Sequence, residues 1–399
     1  MKILFILLQM AEEGNGGGMY ENLAEQFKKQ GHEVTIMAPD NQHVKTYLRQ
    51  ERGMRVLRVN SKATQGVPNM IRKGIALATL PFYFKKAYKK YFRRERYDWI
   101  VMPTPPITLS GFVGYVKSCS QGKFYLILRD IHPQSVWSIG LLKYKWMYKY
   151  LDRKAKKGYK CADLIGCMSQ GNINFVASQY PSIDRRKLVL LYNWLKEEEN
   201  EYGSSDVRAK YGLQGKYMVL FGGTIGKGQR IENIVYLAEY YQNYEDIVFV
   251  IIGKGIEKDR LEAIVKDRNL RNVLFINFMP QADYLQFVKS ADLGLITINE
   301  NYAVPTCPSK AIAYMSMGIP VFAMINPNSD YGQWIEDAGA GYWAVGSDKE
   351  RTIRLFDKLY TDKTLRKQMS EQGKLYYKRH CTDKNAFLTM IEQMNDIER

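Results

Sequence analysis

Between residues 218 and 323 short apolar runs alternate with amphipathic segments, and glycines and prolines fall at the joints. The apolar runs are 218–221, 248–252, 273–276, 294–298 and 320–323; Gly222-Gly223 and Gly253-Lys254-Gly255 follow the first two. Continuous apolar strands alternating with helices predict a parallel sheet buried on both faces. Such sheets take their ligands at the carboxyl ends of the strands, where these glycine turns lie. A second unit of the same kind opens the chain. Strand-forming runs occupy 2–8, 34–38, 99–102, 124–128, 164–167 and 188–191, and a helix over 20–30 stops at Gly31.

At 399 residues the chain exceeds one ordinary core, so two domains of about 150–200 residues each are expected. The stretch 196–205 is acidic, then Gly/Ser-bearing, and has no apolar periodicity, which marks it as the linker. Phe387, Met390, Ile391 and Met394 recur at helical spacing and require a packing partner. The five cysteines are scattered and form no C-x-x-C pair, which points to a reducing compartment and away from structural zinc. No stretch reaches the roughly 18–20 apolar residues of a membrane span. The N-terminal apolar run reads as a strand rather than a signal, so the cytoplasm is the expected location.

Net charge is +17 and unevenly spread. Segment 85–96 carries seven basic residues offset only by Glu95, with aromatic residues interleaved; segment 143–160 carries eight, mixed with Trp146, Tyr148 and Tyr150. Basic amphipathic helices with aromatic residues suit an anionic membrane surface. Plain solvated faces and nucleic acid are the competing readings, although no nucleic-acid module is legible.

Four strand-end motifs carry the chemistry. The loop holding Gly14, Gly16, Gly17 and Gly18 lacks the last glycine of a dinucleotide fingerprint, where Met19 stands. It still permits a ligand to approach backbone at a helix start, or it is a flexible turn. Gly222-Gly223-Thr224-Ile225-Gly226-Lys227-Gly228 offers free amides and a lysine to a diphosphate, or is a surface turn. Pro308, Ser309 and Lys310 open an apolar helix that Gly318 ends; its first amides suit a phosphate, unless Ser309 is an ordinary N-cap. Arg129 and Asp130 follow the strand 124–128, as functional side chains beside a cleft or as a loop-fixing pair. No D-x-D and no H-x-x-x-H occurs, so no metal is expected, and protein cations and amides must stabilise any leaving diphosphate.

Taken in order, these motifs resemble a GT-B-fold glycosyltransferase of family 4 over essentially the whole chain. Residues 248–296 and 308–323 follow that family's donor domain. Segments 103–111, 128–135, 160–171 and 192–194 resemble the branch containing bacterial O-antigen and capsule N-acetylfucosamine transferases. The resemblance implies an α/β protein with two Rossmann-like domains facing across a cleft, 1–195 for the acceptor and 196–379 for the donor. A helix over about 380–399 would cross back onto the first domain. It further implies a nucleotide-diphospho-sugar donor, UDP-linked, and a lipid-linked saccharide acceptor at the inner face of the cell membrane. It implies no cofactor or metal, and it implies retention of the anomeric configuration.

Carried over by position, the family's phosphate-loop Arg is Thr224 and its Lys is Gln229, with Lys227 and Arg230 nearby. The glutamate that holds the ribose is Ala313, with Glu300 close to the other glutamate's place, and the strand-end histidine is Arg129. The expected catalytic residues are therefore Arg129, Asp130, Lys227 and Lys310. The expected donor site is Gly222, Gly223, Thr224, Gly253, Gly255, Glu300, Pro308 and Ser309, and the first-domain glycine loop is Gly16, Gly17 and Gly18. The expected function is glycosyl transfer in bacterial surface polysaccharide synthesis. The alternatives are a catalytically silent sugar-nucleotide-binding subunit, which Ala313 favours, a GT-B-fold epimerase and, more distantly, a nicotinamide dehydrogenase.

Overall fold

The computed structural model describes residues 1–11, 17–40, 43, 45–61, 70–197 and 207–397. The chain divides into two units, Met1–Tyr192 with Asp383–Arg399, and Asn193–Thr382. Asn193, Trp194 and Leu195, read from sequence as the end of the first domain, thus fall with the second. Gly14 and Gly16, and most of the linker stretch 196–205, lie outside the described residues.

The first unit is an eight-stranded sheet in the order β3-β4-β2-β1-β5-β6-β7-β8. Its strands are β1 (Lys2–Ile6), β2 (Glu33–Asp40), β3 (Tyr47–Glu51), β4 (Met54–Asn60), β5 (Trp99–Thr104), β6 (Lys123–Leu128), β7 (Leu164–Cys167) and β8 (Leu188–Leu190). All neighbours are parallel except β3 and β4. Its helices are α1 (Met19–Lys29), α2 (Met70–Tyr91), α3 (Ser110–Ser120), α4 (Gln134–Ser138), α5 (Lys145–Cys161) and α6 (Gln170–Gln179).

The sequence reading contains neither β3 nor β4. Arg55 and Arg58 break the apolar continuity of β4, and β3 is polar. What makes them strands is tertiary. Arg52 and Gly53 both hold positive φ (53° and 71°), the geometry of a type I′ hairpin turn. Arg58 is buried, and its guanidinium donates to both Glu51 oxygens at 2.8 and 2.6 Å, so the charge has a partner inside the fold.

The second unit is a six-stranded parallel sheet in the order β11-β10-β9-β12-β13-β14. Its strands are β9 (Tyr217–Thr224), β10 (Ile247–Lys254), β11 (Val273–Ile276), β12 (Leu293–Thr297), β13 (Val321–Ile325) and β14 (Gly341–Val345). The helices are α7 (Val207–Lys210), α8 (Glu232–Tyr240), α9 (Lys258–Asp267), α10 (Gln281–Ser290), α11 (Lys310–Met317), α12 (Tyr331–Asp337), α13 (Lys349–Thr361) and α14 (Lys363–His380). Phe221, Phe249, Leu293, Phe322 and Phe356 fill the core. Strand β14 is also new relative to the sequence reading. It pairs with β13 closely enough that a Cβ on Gly341 would overlap the Val321 carbonyl oxygen.

The strand order reverses between β9 and β12, and sheets of this winding bind ligands in the crevice at such a reversal. The loops leaving these two strands therefore frame the site.

The last helix, α15 (Asp383–Asp396), packs within the first unit. Phe387 meets Phe27 edge to face at 4.8 Å. Gln26 Nε2 donates to Asp383 at 2.8 Å, and the Tyr125 hydroxyl donates to Gln393 Oε1 at 2.6 Å. Among the described residues, no helix is long and apolar enough to cross a membrane.

Candidate functional site

In the second unit, the loops after β9 and β10 are joined backbone to backbone. Ile225 N–H donates to the Lys254 carbonyl at 3.0 Å, and Glu257 N–H to the Ile225 carbonyl at 3.2 Å. A Cβ on Gly253 would overlap the Gly223 carbonyl oxygen, and one on Gly255 the Ile225 carbonyl oxygen. On the other side of β9, a Cβ on Gly222 would strike the Tyr284 ring. Gly223 has φ 138°, and its α-carbon faces Lys310, whose Cε would lie 2.7 Å from a Cβ there.

Lys310 opens α11, which ends at Gly318 in the left-handed conformation. Its ammonium donates to Gln229 Oε1 at 2.8 Å and stands 5.1 Å from the Phe221 ring centre. Burial pushes the Lys310 ammonium down to about 8. Gly223, Gln229 and Lys310 are thus brought together at the strand-order reversal. Gln229, noted in the sequence only as standing where a lysine is usual, is the acceptor that holds the cation. Nothing in its neighbours announces that role.

Ser309 is exposed, takes helical backbone angles and makes no side-chain cap, so the ordinary N-cap reading is corrected. A capping serine needs extended backbone to turn its oxygen onto the helix amides. The Pro308 carbonyl accepts from the Tyr331 hydroxyl. The loop before it is pinned by buried Asn326, which donates to the Tyr302 and Val304 carbonyls at 3.2 and 3.1 Å. Thr306 and Ser329 complete that brace.

Thr224 ends β9 and is exposed. The Lys227 side chain is exposed too, while its carbonyl accepts from Asn299 Nδ2 at 3.0 Å; Asn299 N–H binds the Gly228 carbonyl at 2.9 Å. Asn299 fixes the course of the phosphate-type loop, a tie no motif signals. Both Glu300 oxygens are engaged, one 3.6 Å from Arg230 and one accepting from Ser347 N–H at 3.1 Å. Ala313 lies half-buried on α11.

In the first unit, Glu21 explains the glycine loop. Its carboxylate, buried, accepts from the backbone N–H groups of Ala11 and Gly18. Burial raises the Glu21 carboxyl above its ordinary range against the pull of those two amides. A Cβ on Gly17 would lie 2.7 Å from Arg52 Nη1, and one on Gly18 would meet Glu21. These glycines are needed by the chain's own contacts. Gly16 lies outside the described residues.

Arg129 is buried at the end of β6 and donates to the Leu191 carbonyl at 3.1 Å. It also faces Tyr20, whose hydroxyl is raised by burial and drawn back by the Arg129 charge. Asp130 is exposed, and its carbonyl accepts from His132 N–H at 3.0 Å. The His132 ring contacts Ser135 Oγ at 2.6 Å, and burial lowers its proton affinity. Among the described residues, no group of three or more His, Cys, Asp and Glu could hold a metal ion.

Residues 204–376 match the family described as Glycosyl transferases group 1. The probable glycosyltransferase WbjE of Pseudomonas aeruginosa is 24% identical over 294 residues, covering 73% of this chain and 72% of its own. WcaI of Escherichia coli (strain K12), named as a putative colanic acid biosynthesis glycosyl transferase, is 22% identical over 360 residues, 84% and 86% of the two chains. A Campylobacter jejuni N-acetylgalactosaminyltransferase, whose name gives a diphospho-undecaprenol-linked saccharide as acceptor, is 31% identical over 146 residues, 36% and 38% of the two. Among solved structures, sucrose-phosphate synthase of Thermosynechococcus elongatus superposes with a TM-score of 0.77 at 14% identity, covering 100% and 99% of the chains. HepE of Anabaena, in complex with UDP, superposes at 0.68 and 13% identity, covering 99% and 100%.

Proposed function

We propose that this glycosyltransferase of GT-B fold moves a sugar from a UDP-linked donor to a lipid-linked saccharide in bacterial surface polysaccharide synthesis. The observation that carries the donor half is the meeting of Gly223, Gln229 and Lys310 at the strand-order reversal of a unit matching group 1 glycosyl transferases. As the bond to the sugar breaks, charge collects on the departing diphosphate. The Lys310 ammonium and the amides of Gly223 and Ser309 would receive it, with the exposed Lys227 as a second cation. One such donor is worth about 10²–10³ in rate. No metal is assigned a part in this reading.

The acceptor half is supported by the names of the relatives: one is named a putative colanic acid biosynthesis glycosyl transferase, and another's name gives a diphospho-undecaprenol-linked acceptor. In this reading the first unit takes the acceptor. Asp130, exposed at the end of β6, would accept the proton of its hydroxyl, while buried Arg129 orients the loop through Leu191 and Tyr20. Kinship to N-acetylfucosamine transferases, and retention of the anomeric configuration, extend the proposal through the first-unit motifs.

Thermal-shift titration with UDP, GDP and their common sugars tests the donor. UDP-sugars should raise Tm in the wild type and fail to do so in Lys310→Ala. Stabilisation by GDP alone, or by none of these nucleotides, would sink the reading.

A further inference from the structure

We infer that the first unit docks on an anionic phospholipid surface through α2 and α5, with Phe82 and Trp146 entering the headgroup layer. The inference goes beyond sugar transfer and needs no nucleotide.

Helix α2 has divided its aromatic residues. Phe84 and Tyr88, with Phe92 just past the helix end, are wholly buried, whereas Phe82 is 69% exposed. Ile75, Ala78 and Phe82 lie along one exposed stripe, continued toward the C-terminal end by Lys85, Lys86 and Lys89. Helix α5 repeats the arrangement. Ala155, Gly158 and Tyr159 face inward, while Trp146 (67% exposed) and Tyr150 share the outer face with Lys149 and Arg153. Tyr144 stacks beside Trp146 at 6.4 Å.

Helix α3 joins the two stripes. The Lys85 ammonium sits 4.5 Å over the ring of Tyr115 on α3, and a Cβ on Gly111 would lie 3.8 Å from Lys157 Nζ on α5. Acidic residues do not cancel this field. Between Arg52 and Leu151 they are Glu95, Asp98 and Asp130, and α5 adds Asp152; Glu95 is already paired with Arg55 and Lys2 at 2.6 and 2.8 Å, and Asp152 with Lys156 at 2.9 Å.

Aromatic rings beside lysines on exposed helical stripes match the interfacial zone of a bilayer. Ile75 and Ala78 extend the α2 stripe with aliphatic surface, which suits lipid better than a stacked nucleobase. Each Lys or Arg near an anionic leaflet contributes about fivefold to partition, and salt screens it.

Sedimentation of the intact protein with phosphatidylglycerol/phosphatidylethanolamine vesicles, against phosphatidylcholine vesicles, tests this. Binding should be at least about tenfold stronger to the anionic vesicles and should fall as salt rises. Lys85→Gln with Lys86→Gln should weaken it about 25-fold and flatten its salt dependence. Phe82→Ser with Trp146→Ser should weaken it at every salt concentration. Quenching of tryptophan fluorescence by brominated lipid should drop in Trp146→Phe. Circular dichroism melting, unchanged in these variants, shows that the fold is intact. Equal binding to both vesicle types, full binding by the folded variants, or preference for a single-stranded RNA oligonucleotide over anionic vesicles would overturn the inference. UDP stabilisation is scored separately, so failure of this surface and failure of the transferase reading are distinct results.

Discussion

The Lys310 ammonium is held by Gln229 Oε1 at 2.8 Å, across the loop mouth from Gly223. A cation ready for a diphosphate thus rests on a neutral acceptor that competes weakly with an incoming anion. Charge-assisted hydrogen bonds to phosphate oxygens are roughly twice as strong as neutral ones, so a diphosphate should displace the amide.

Lys310→Ala should lower turnover at least about tenfold, toward the 10²–10³ of a lost donor to developing charge. Its pH dependence follows from burial, which brings the ammonium to about 8 from an ordinary 10.5. Charge is present below about 8, so kcat/KM should fall as pH rises through that value, and Lys310→Arg should carry activity further into alkali. The sign for stability is opposite. Between about 8 and 10.5 the unfolded chain binds the proton that the folded chain has released, so folding stability rises with pH across that window and the burial cost is full below it. A flat alkaline limb in steady-state kinetics would remove Lys310 from the reaction.

Gln229→Leu deletes the acceptor and leaves the ammonium with one hydrogen bond fewer. Its proton affinity should drop further, moving the alkaline limb of kcat/KM to lower pH. Gln229→Glu should move that limb up, because a carboxylate favours the charged lysine. Identical limbs in all three proteins would show that Gln229 does not position Lys310.

Glu51→Gln or Arg58→Met alone should destabilise the first unit by about 3–5 kcal/mol, since each strands a buried charge or its partner. The double variant should cost less than the sum. Burial by itself would raise the Glu51 carboxyl; the guanidinium bonds of Arg58 and Arg49 outweigh it and hold the group below its ordinary value. The stability it contributes is therefore present above the ordinary carboxylate range and lost as pH falls through the lowered one. Urea unfolding at neutral and acid pH measures both effects, and equal destabilisation at the two would refute the pairing.

Phe387→Ala should cost about 3–5 kcal/mol by removing a buried ring from its edge-to-face seat on Phe27. Gln393→Ala, which removes the partner of the Tyr125 hydroxyl, should cost about 1 kcal/mol. Calorimetric Tm values that leave Phe387→Ala within error of wild type would exclude α15 from the core.

The central strands were legible because a sheet covered on both faces leaves no room for polar residues. Strands β3 and β4 escaped notice because Arg55 and Arg58 read as surface residues until Glu51 is placed beside Arg58. The same limit applies at the site. Gly223 and Lys310 stand out as a strand-end turn and a helix start, but Gln229 depends on the loop path that Asn299 ties down. Gly17 and Gly18 read from sequence as room for a ligand or as a flexible turn; only the fold reveals that Asn22, Arg52 and Glu21 take the space. Ser309 permitted two readings, and backbone angles that sequence does not encode locally decided between capping and an unused hydroxyl.

The return of α15 to the first unit has a consequence for biosynthesis. Asn193–Thr382 is one unbroken stretch, whereas Phe387 and Gln393, which meet Phe27 and Tyr125, come after Thr382. Domains fold as units while the chain emerges from the ribosome. The segment made second can thus be complete while the one begun first still waits, its contacts to Phe387 and Gln393 unmade, for α15 to leave the exit tunnel.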